Sequence, residues 1–245
     1  MRIAILSDIH ANMEALAAVL DDLDQLSVDS IYSLGDNVGY GAEPQAVMEE
    51  LSRRGIVSVM GNHELGLASR RSREKDFNPH ARQALEVTRT LLSDAAIREL
   101  AGFPRYLVVH GARLVHGCPP DSPTRYLYMV DEGEFLSRFK SYPEQVCFAG
   151  HTHELGLVVL EGGSVRRLPL PQGVTSVGSF ERAIVNAGSV GQPRDGDNRA
   201  KYLVWDTQAA SVEVRFVAYD IASCAAKIEQ SGMARRYADR LWSGT

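Results

Sequence analysis

Cysteine is scarce in this chain. Three residues in 245 (Cys118, Cys147 and Cys224) are an odd number without CxxC spacing, which excludes a disulfide framework and fits reduced thiols in a reducing compartment. Long hydrophobic runs are missing too: no window is long and apolar enough to span a bilayer, and the stretch from Met1 to Asp8 is too short for a signal peptide. The expected location is therefore the cytoplasm, with no membrane partner. Positive charge is in deficit, with 26 Lys and Arg against 31 Asp and Glu and a formal charge of −5. Such a balance gives no general attraction to nucleic acid, and without a basic stripe interleaved with aromatics a long nucleic acid is not the expected partner. A phosphate-bearing ligand would need a local positive centre.

What is present is ordinary globular material, 44% hydrophobic and 23% charged. The run Arg2 to Ser7, the helical spacing of Leu16, Val19, Leu20 and Leu23 behind a possible cap at Asn12, the run Ser30 to Leu34, the helical pattern of Pro44 to Arg53 and the run Ile56 to Met60 alternate strand with helix. That alternation predicts a parallel sheet, with ligands gathered at the carboxyl ends of its strands. Residues 64–104 are helical in pattern, with Asn78-Pro79 a favourable start, and are expected to cover the sheet. From Arg105 onward short apolar runs separated by turns such as Glu161-Gly162-Gly163 imply antiparallel pairing. No Ser/Gly/Pro linker divides the chain. The expectation is one domain over residues 1–245, of mixed α/β class, with two sheets face to face in a four-layer αββα sandwich. A last helical segment at about 221–242 would cover this chain's own sheet or a neighbour's, which leaves the oligomeric state open.

The chemistry-bearing residues fall just after these runs: Asp8-x-His10, Asp36, Asn62 with His63 beside it, His116 and His151-x-His153. Five of the seven histidines stand at such positions, whereas ordinary core or surface histidines should ignore strand ends. Side chains at i and i+2 of an extended chain share one side, so each of the two pairs is read as a half-site for one ion. DxH or HxH alone is easily met by chance. The joint order is far more specific and is what a two-metal hydrolytic site requires. Gly35 and Gly61 precede Asp36 and Asn62, as expected where a sheet edge turns sharply and backbone approaches bound ions.

Asp8-Ile9-His10, Gly35-Asp36, Gly61-Asn62-His63-Glu64, His116-Gly117 and Gly150-His151-Thr152-His153 together resemble the pattern of the calcineurin-like metallophosphoesterase superfamily over roughly residues 1–206. Leu34 to Gly41 and Asn186 to Arg194 are similar to its small bacterial and archaeal phosphodiesterase branch. The resemblance implies a first metal on Asp8, His10, Asp36 and His153 and a second on Asp36, Asn62, His116 and His151, with Asp36 bridging. Two divalent ions bring about +4 against about −2 from the aspartates, enough to attract a phosphate ester to an acidic protein. A water bridging the two ions would be the nucleophile, so no protein nucleophile is needed. His63 is the candidate general acid or charge stabiliser, with Glu64 able to orient it. The sulfur-free N/O donor set favours Mn, Fe, Zn, Co or Ni over Mg or Ca, and Mn is the expected activator.

Other residues read more simply. His110-Gly111 lies at the expected turn between two strands and is assigned as structural, leaving His116 as the ligand; His80 is read as a solvated helix-start residue. Arg70 to Lys75 alternates in charge like an exposed helix. Arg194, in the late glycine-rich motif, is a candidate for touching substrate, and Cys118 is read as a loop residue near the pocket. The leading expectation is a metal-dependent phosphodiesterase acting on a small phosphate ester. A phosphomonoesterase or dinucleoside polyphosphate hydrolase would use the same site, and a non-catalytic protein-binding scaffold is the rival of another class. Substrate choice is expected in loops within residues 64–82, 117–145 and 170–198.

Overall fold

The computed structural model describes residues 1–245. Strand and helix alternate at first: β1 (Arg2–Leu6), α1 (Met13–Asp24), β2 (Ser30–Ser33), α2 (Pro44–Arg53) and β3 (Val57–Ser58). Four helices follow, α3 (Asn62–Ala68), α4 (Arg70–Asp76), α5 (Pro79–Thr90) and α6 (Asp94–Ala101), and then β4 (Tyr106–Val109) and β5 (Ala112–Val115). A 3-10 turn at Leu127–Met129 leads to α7 (Glu132–Lys140) and to β6 (Val146–Ala149), β7 (Leu155–Glu161), β8 (Ser164–Leu168), β9 (Gly173–Ser176), β10 (Arg182–Ala187), β11 (Ala200–Asp206) and β12 (Ser211–Val217). The chain closes with α8 (Ile221–Gln230) and α9 (Arg236–Ser243). Side chains set the helix starts: Asn12 Oδ1 accepts from Ala15 N to cap α1, and Asn78 Oδ1 accepts from Ala81 N ahead of Pro79 in α5.

Two six-stranded sheets result, ordered β3-β2-β1-β11-β12-β9 and β4-β5-β6-β10-β7-β8. In the first, β1, β2 and β3 run parallel as expected, and β11 returns antiparallel beside β1. The second differs from the antiparallel expectation at its centre, where β5, β6 and β10 are parallel, while the pairs β4–β5, β7–β8 and β10–β7 are antiparallel. The crossover through α7 is the reason, since parallel neighbours need a connection of that kind. Strand β9 was not expected from the sequence. It is a four-residue edge strand with Val174 exposed, too polar and short to show a buried face.

Period-2 alternation places Ile3 and Ile5 of β1 between the sheets, against Leu114, Phe148 and Val185, while Ala4 and Leu6 face the other way onto Leu16, Val19 and Leu20 of α1. Each large aliphatic side chain buried in this way stabilises the fold by about 1.5–3 kcal/mol. The helices of residues 62–101 join the same outer layer through Leu67, Leu85 and Leu100. On the far side α7 packs Phe135 and Phe139 onto Val115, Cys147 and Ile184. The four layers αββα are thus complete. The C-terminal helices lie on this chain's own helices rather than on a sheet, with Ile228, Tyr237 and Leu241 against Ala84 and Val87 of α5.

Candidate metal centre

The strand tips of both sheets meet at one end of the sandwich. Asp8 and His10 follow β1, Asp36 follows β2, Asn62 opens α3 just after β3, His116 follows β5, and His151 and His153 follow β6. The backbone there is unusual. Nine non-glycine residues have positive φ, and seven of them are here: Asp8 (53°), His10 (49°), Ala11 (53°), Asp36 (52°), Tyr40 (65°), His151 (69°) and His153 (62°). Left-handed backbone at such residues costs of order 1–3 kcal/mol each and persists only where the surroundings hold it. The chain is therefore not extended through the two pairs, which corrects the i, i+2 reading. Asp8 and His10 do converge, but His151 and His153 part company: His151 Nδ1 lies 3.2 Å from His116 Nε2, and His153 Nε2 lies 3.1 Å from His10 Nε2. Gly61 is required by close approach, since a Cβ there would lie 2.1 Å from Asp36 Oδ1.

Two donor sets adjoin across Asp36. In one, Asp8 Oδ1 lies 3.2 Å from His153 Nε2 and 3.8 Å from His10 Nε2, and His10 Nε2 is also 3.8 Å from Asp36 Oδ2. In the other, His116 Nε2 lies 3.0 Å from Asn62 Oδ1 and 3.3 Å from Asp36 Oδ2. The second oxygen of each carboxylate is tied down: Asp8 Oδ2 accepts from Ser7 Oγ and His151 N, and Asp36 Oδ1 accepts from His63 N. Asp8 Oδ1 is buried with no hydrogen-bond partner.

The imidazoles decide what fits between them. His10 Nδ1 donates to Val38 O (3.1 Å), His116 Nδ1 to Leu34 O (2.9 Å), His151 Nε2 to Thr124 O (3.2 Å) and His153 Nδ1 to Gln192 O (2.5 Å). A carbonyl accepts only from an N–H, so in each neutral ring the other nitrogen carries a lone pair. Those lone pairs face one another and two buried carboxylates. Like partial charges at about 3 Å are repulsive unless a cation lies between them, and an imidazole fixed by a backbone carbonyl is the usual support of a metal-binding histidine. The donors therefore fit divalent cations.

Protonation follows the same field. Burial would raise Asp8, but His153 and His116 hold it well below the usual carboxylate range; Asp36 is likewise held down against burial, by His116 and His63. Burial lowers His10, with His153 adding to it, and takes His151 down to about 3. His116 is the exception. Burial works against its charged form, yet Asp36 and Asp8 push it up to about 9, so a proton there stands in for a cation.

His63 is buried beside this cluster, with Nε2 4.0 Å from Asp36 Oδ2 and Nδ1 unpartnered. It packs edge-on to Tyr40 and Phe77, and burial takes it down to about 4. A Cβ on Gly39 would lie 2.0 Å from its Nδ1, so only glycine leaves room for the ring. Glu64 does not orient His63, contrary to expectation. Its Oε2 accepts from Asp36 N and Gly61 N and its Oε1 from Asn37 N, so it binds the Asp36 and Asn62 turns together. Burial and the Asp36 carboxylate push Glu64 up to about 7.

A cavity of about 70 Å³ leads to the cluster between Tyr40, Asn62, Phe77, Thr124, Tyr126 and His151. Tyr126 stacks on His151 at 3.7 Å and on Tyr128 at 4.8 Å. Sequence reasoning missed Tyr126 and Thr124, which carry no motif, and saw Tyr40 and Gln192 only as members of glycine-rich stretches. Arg194 is half-buried, donates to Gln192 Oε1, and lies close enough to oppose protonation of His153 and His63. Cys118 lies in the core with Leu127 and Val130, where burial pushes its thiol up to about 11. His110 sits exposed in the β4–β5 turn. Arg70 to Lys75 form part of α4, which buries no residue. His80 is exposed, but its Nδ1 accepts from Arg236 Nη2 at 2.9 Å, a tie to α9 that was not foreseen.

Comparison with known proteins identifies the family. Residues 1–210 match the model of the calcineurin-like phosphoesterase superfamily domain. An uncharacterized protein of Methanocaldococcus jannaschii, MJ0912, is 31% identical over 245 residues, covering 99% of this chain and 98% of its own length. The crystal structure of a metallophosphoesterase from Sphaerobacter thermophilus superposes with a TM-score of 0.86 at 35% identity, over 100% of both chains. A hypothetical protein from Pyrococcus horikoshii, PH1004, shares the fold with a TM-score of 0.78 at 19% identity, over 100% of this chain and 98% of that one. No helix is long and apolar enough to cross a membrane. By the family match over most of its length, and with candidate cation donors at the strand tips, the chain belongs to the calcineurin-like phosphoesterase superfamily.

Proposed function

We propose that the protein is a phosphodiesterase that works with two divalent transition-metal ions. The observation that carries this reading is the set of four histidines, each tied through one nitrogen to a carbonyl and each turning its other nitrogen toward Asp8 or Asp36. Asp8, His10, Asp36 and His153 would hold one ion, and Asp36, Asn62, His116 and His151 the other. When bound, the two ions supply the positive charge that captures a phosphate ester and the acidity that makes water a nucleophile near neutral pH. The nitrogen and oxygen donors without sulfur favour Mn, Fe, Zn, Co or Ni, and of these Mn²⁺ is the ion we assign.

The chain's own residues do the rest. Asp36 Oδ2 serves both donor sets while its Oδ1, bound to His63 N, keeps the carboxylate from rotating. His63, whose Nε2 lies 4.0 Å from Asp36 Oδ2, would hydrogen-bond the leaving oxygen. Tyr40, Phe77 and Tyr126 wall the cleft with aromatic faces that suit the ester substituents and exclude water. Arg194 adds a cation on the Gln192 side. The diester preference is supported by the likeness of Asn186 to Arg194 to the small phosphodiesterase branch; in this stretch Asn186 Nδ2 donates to Gly150 O and Thr152 Oγ1, and Gln192 O anchors His153.

The test is metal analysis of the purified protein together with hydrolysis of bis(p-nitrophenyl) phosphate under Mn²⁺. Two metal equivalents per chain and metal-stimulated turnover are expected; no bound metal and no turnover would favour the protein-binding scaffold. His63→Ala should keep its metal and lose rate, least for esters whose leaving groups need little protonation. Equal losses across leaving groups would remove the proposed contact.

A further inference from the structure

A second cavity, of about 100 Å³, adjoins the active-site cleft, and the two share Tyr40, Asn78 and Ala81 as walls. Its other walls are His80 from α5 and Arg236, Tyr237 and Arg240 from α9. No carboxylate lines it. Tyr40 stacks on Tyr237 at 4.6 Å, and Tyr237 Oη donates to His80 O, so the walls are fixed rather than loose surface. The arginines are unusual in their lack of partners. Arg235 lies near both Glu229 and Asp239, whereas Arg236 donates only to the His80 ring and Arg240 makes no ion pair. Arg194 stands close by on the cleft side, near enough for its charge to act on the phenols of Tyr40 and Tyr237.

Three guanidinium groups without carboxylate partners, gathered around one tyrosine pair in a protein of net charge −5, are the reverse of what the overall charge would place there. Guanidinium forks match phosphate oxygens in geometry and charge. Both arginines of the cavity come from α9, beyond the residues 1–210 matched by the family model, so the charge of the cavity is supplied from outside the matched region.

We propose that this cavity is a second anion subsite, which holds a phosphate group of the substrate other than the one being cleaved. The substrate class is then a phosphodiester that also carries a terminal phosphate. The two phosphates would lie on either side of Tyr40, the wall common to both cavities. This inference rests on the phosphodiesterase reading, and the test separates the two.

The experiment compares adenylyl-adenosine with the same dinucleotide bearing a 5′-terminal phosphate, in the wild type and in an Arg236→Ala/Arg240→Ala double variant, with bis(p-nitrophenyl) phosphate as a substrate lacking any second phosphate. The wild type should prefer the phosphorylated dinucleotide in kcat/KM by about tenfold or more, mainly through KM, and the double variant should lose that preference. In parallel, inorganic phosphate is titrated calorimetrically into chelator-treated protein, where Asp8 and Asp36 repel anions from the cluster. The double variant should bind it about tenfold more weakly. Because Arg236 is exposed and Arg240 half-buried without an ion pair, their removal should leave the melting temperature close to that of the wild type. Equal use of the two dinucleotides by an active wild type, or unchanged phosphate binding in the double variant, overturns the subsite. Absence of bis(p-nitrophenyl) phosphate hydrolysis under every metal overturns the phosphodiesterase reading instead, and the calorimetry still decides whether the cavity binds phosphate.

Discussion

The two halves of the candidate centre are alike in geometry and unlike in charge. The half built on Asp8, His10 and His153 has a carboxylate of its own, with Oδ1 buried and unpartnered. The half built on Asn62, His116 and His151 has only neutral donors and depends on the shared Asp36 for negative charge. An ion in the first half would face two carboxylates at close range, and an ion in the second only one. The first should therefore bind more tightly, and the second should be the one that exchanges or is lost on dilution.

Removing the shared charge gives the largest effect. Asp36→Asn should empty both halves at micromolar metal and lower turnover by roughly 10³-fold, or about 4 kcal/mol of barrier; near-normal rates would show that the halves do not depend on residue 36. The next comparison sets the halves against each other. Asp8→Asn should lose the tightly held ion, whereas Asn62→Ala should retain about one equivalent per chain and lose the other, as read by elemental analysis after gel filtration. Equal metal loss in the two variants would erase the asymmetry.

A pH profile of the chelated protein sharpens it further. His10, His63, His151 and His153 are held below their unfolded value near 6.5, so the stability they contribute is present above that pH and lost as pH falls below it. His116 is pushed up to about 9, so its contribution is present below 6.5 and lost as pH rises through 9. Glu64, raised to about 7, opposes the four lowered histidines between 4.5 and 7, one group against four. The melting temperature should peak near pH 6.5 and fall on both sides, and added Mn²⁺ should flatten the alkaline limb by taking the proton's place on His116. A smaller effect concerns the first half's scaffold, where Asn12 caps α1 and donates to Gly191 O behind the Asp8–His10 turn. Asn12→Ala should cost about 1 kcal/mol, a fall of a few degrees in melting temperature with metal content intact.

Much of this was legible in the sequence, for a simple reason. Donors placed just after apolar runs belong to strand tips, and tips of neighbouring parallel strands must converge, so the sequence alone groups Asp8, Asp36 and Asn62. The same reasoning fails at His151 and His153. It presumes extended backbone, and φ values of 69° and 62° send the two side chains to different halves. Glu64 was misread because its partners are backbone N–H groups of residues 36, 37 and 61, which leave no trace in side-chain patterns. Tyr126 stands alone in an irregular segment, and its stacking on His151 depends on where that segment returns. The parallel centre of the second sheet was hidden because short apolar runs look alike whichever way their neighbours point.

The carbonyls that orient the four imidazoles belong to residues 34, 38, 124 and 192, while the rings themselves come from residues 10, 116, 151 and 153. Aiming these rings thus requires segments from nearly the whole length of the chain to be in place at once. A nascent or half-assembled chain with only one sheet formed offers an incomplete and misdirected donor set, too weak to trap an ion. Uptake of metal would then mark the moment at which folding finishes.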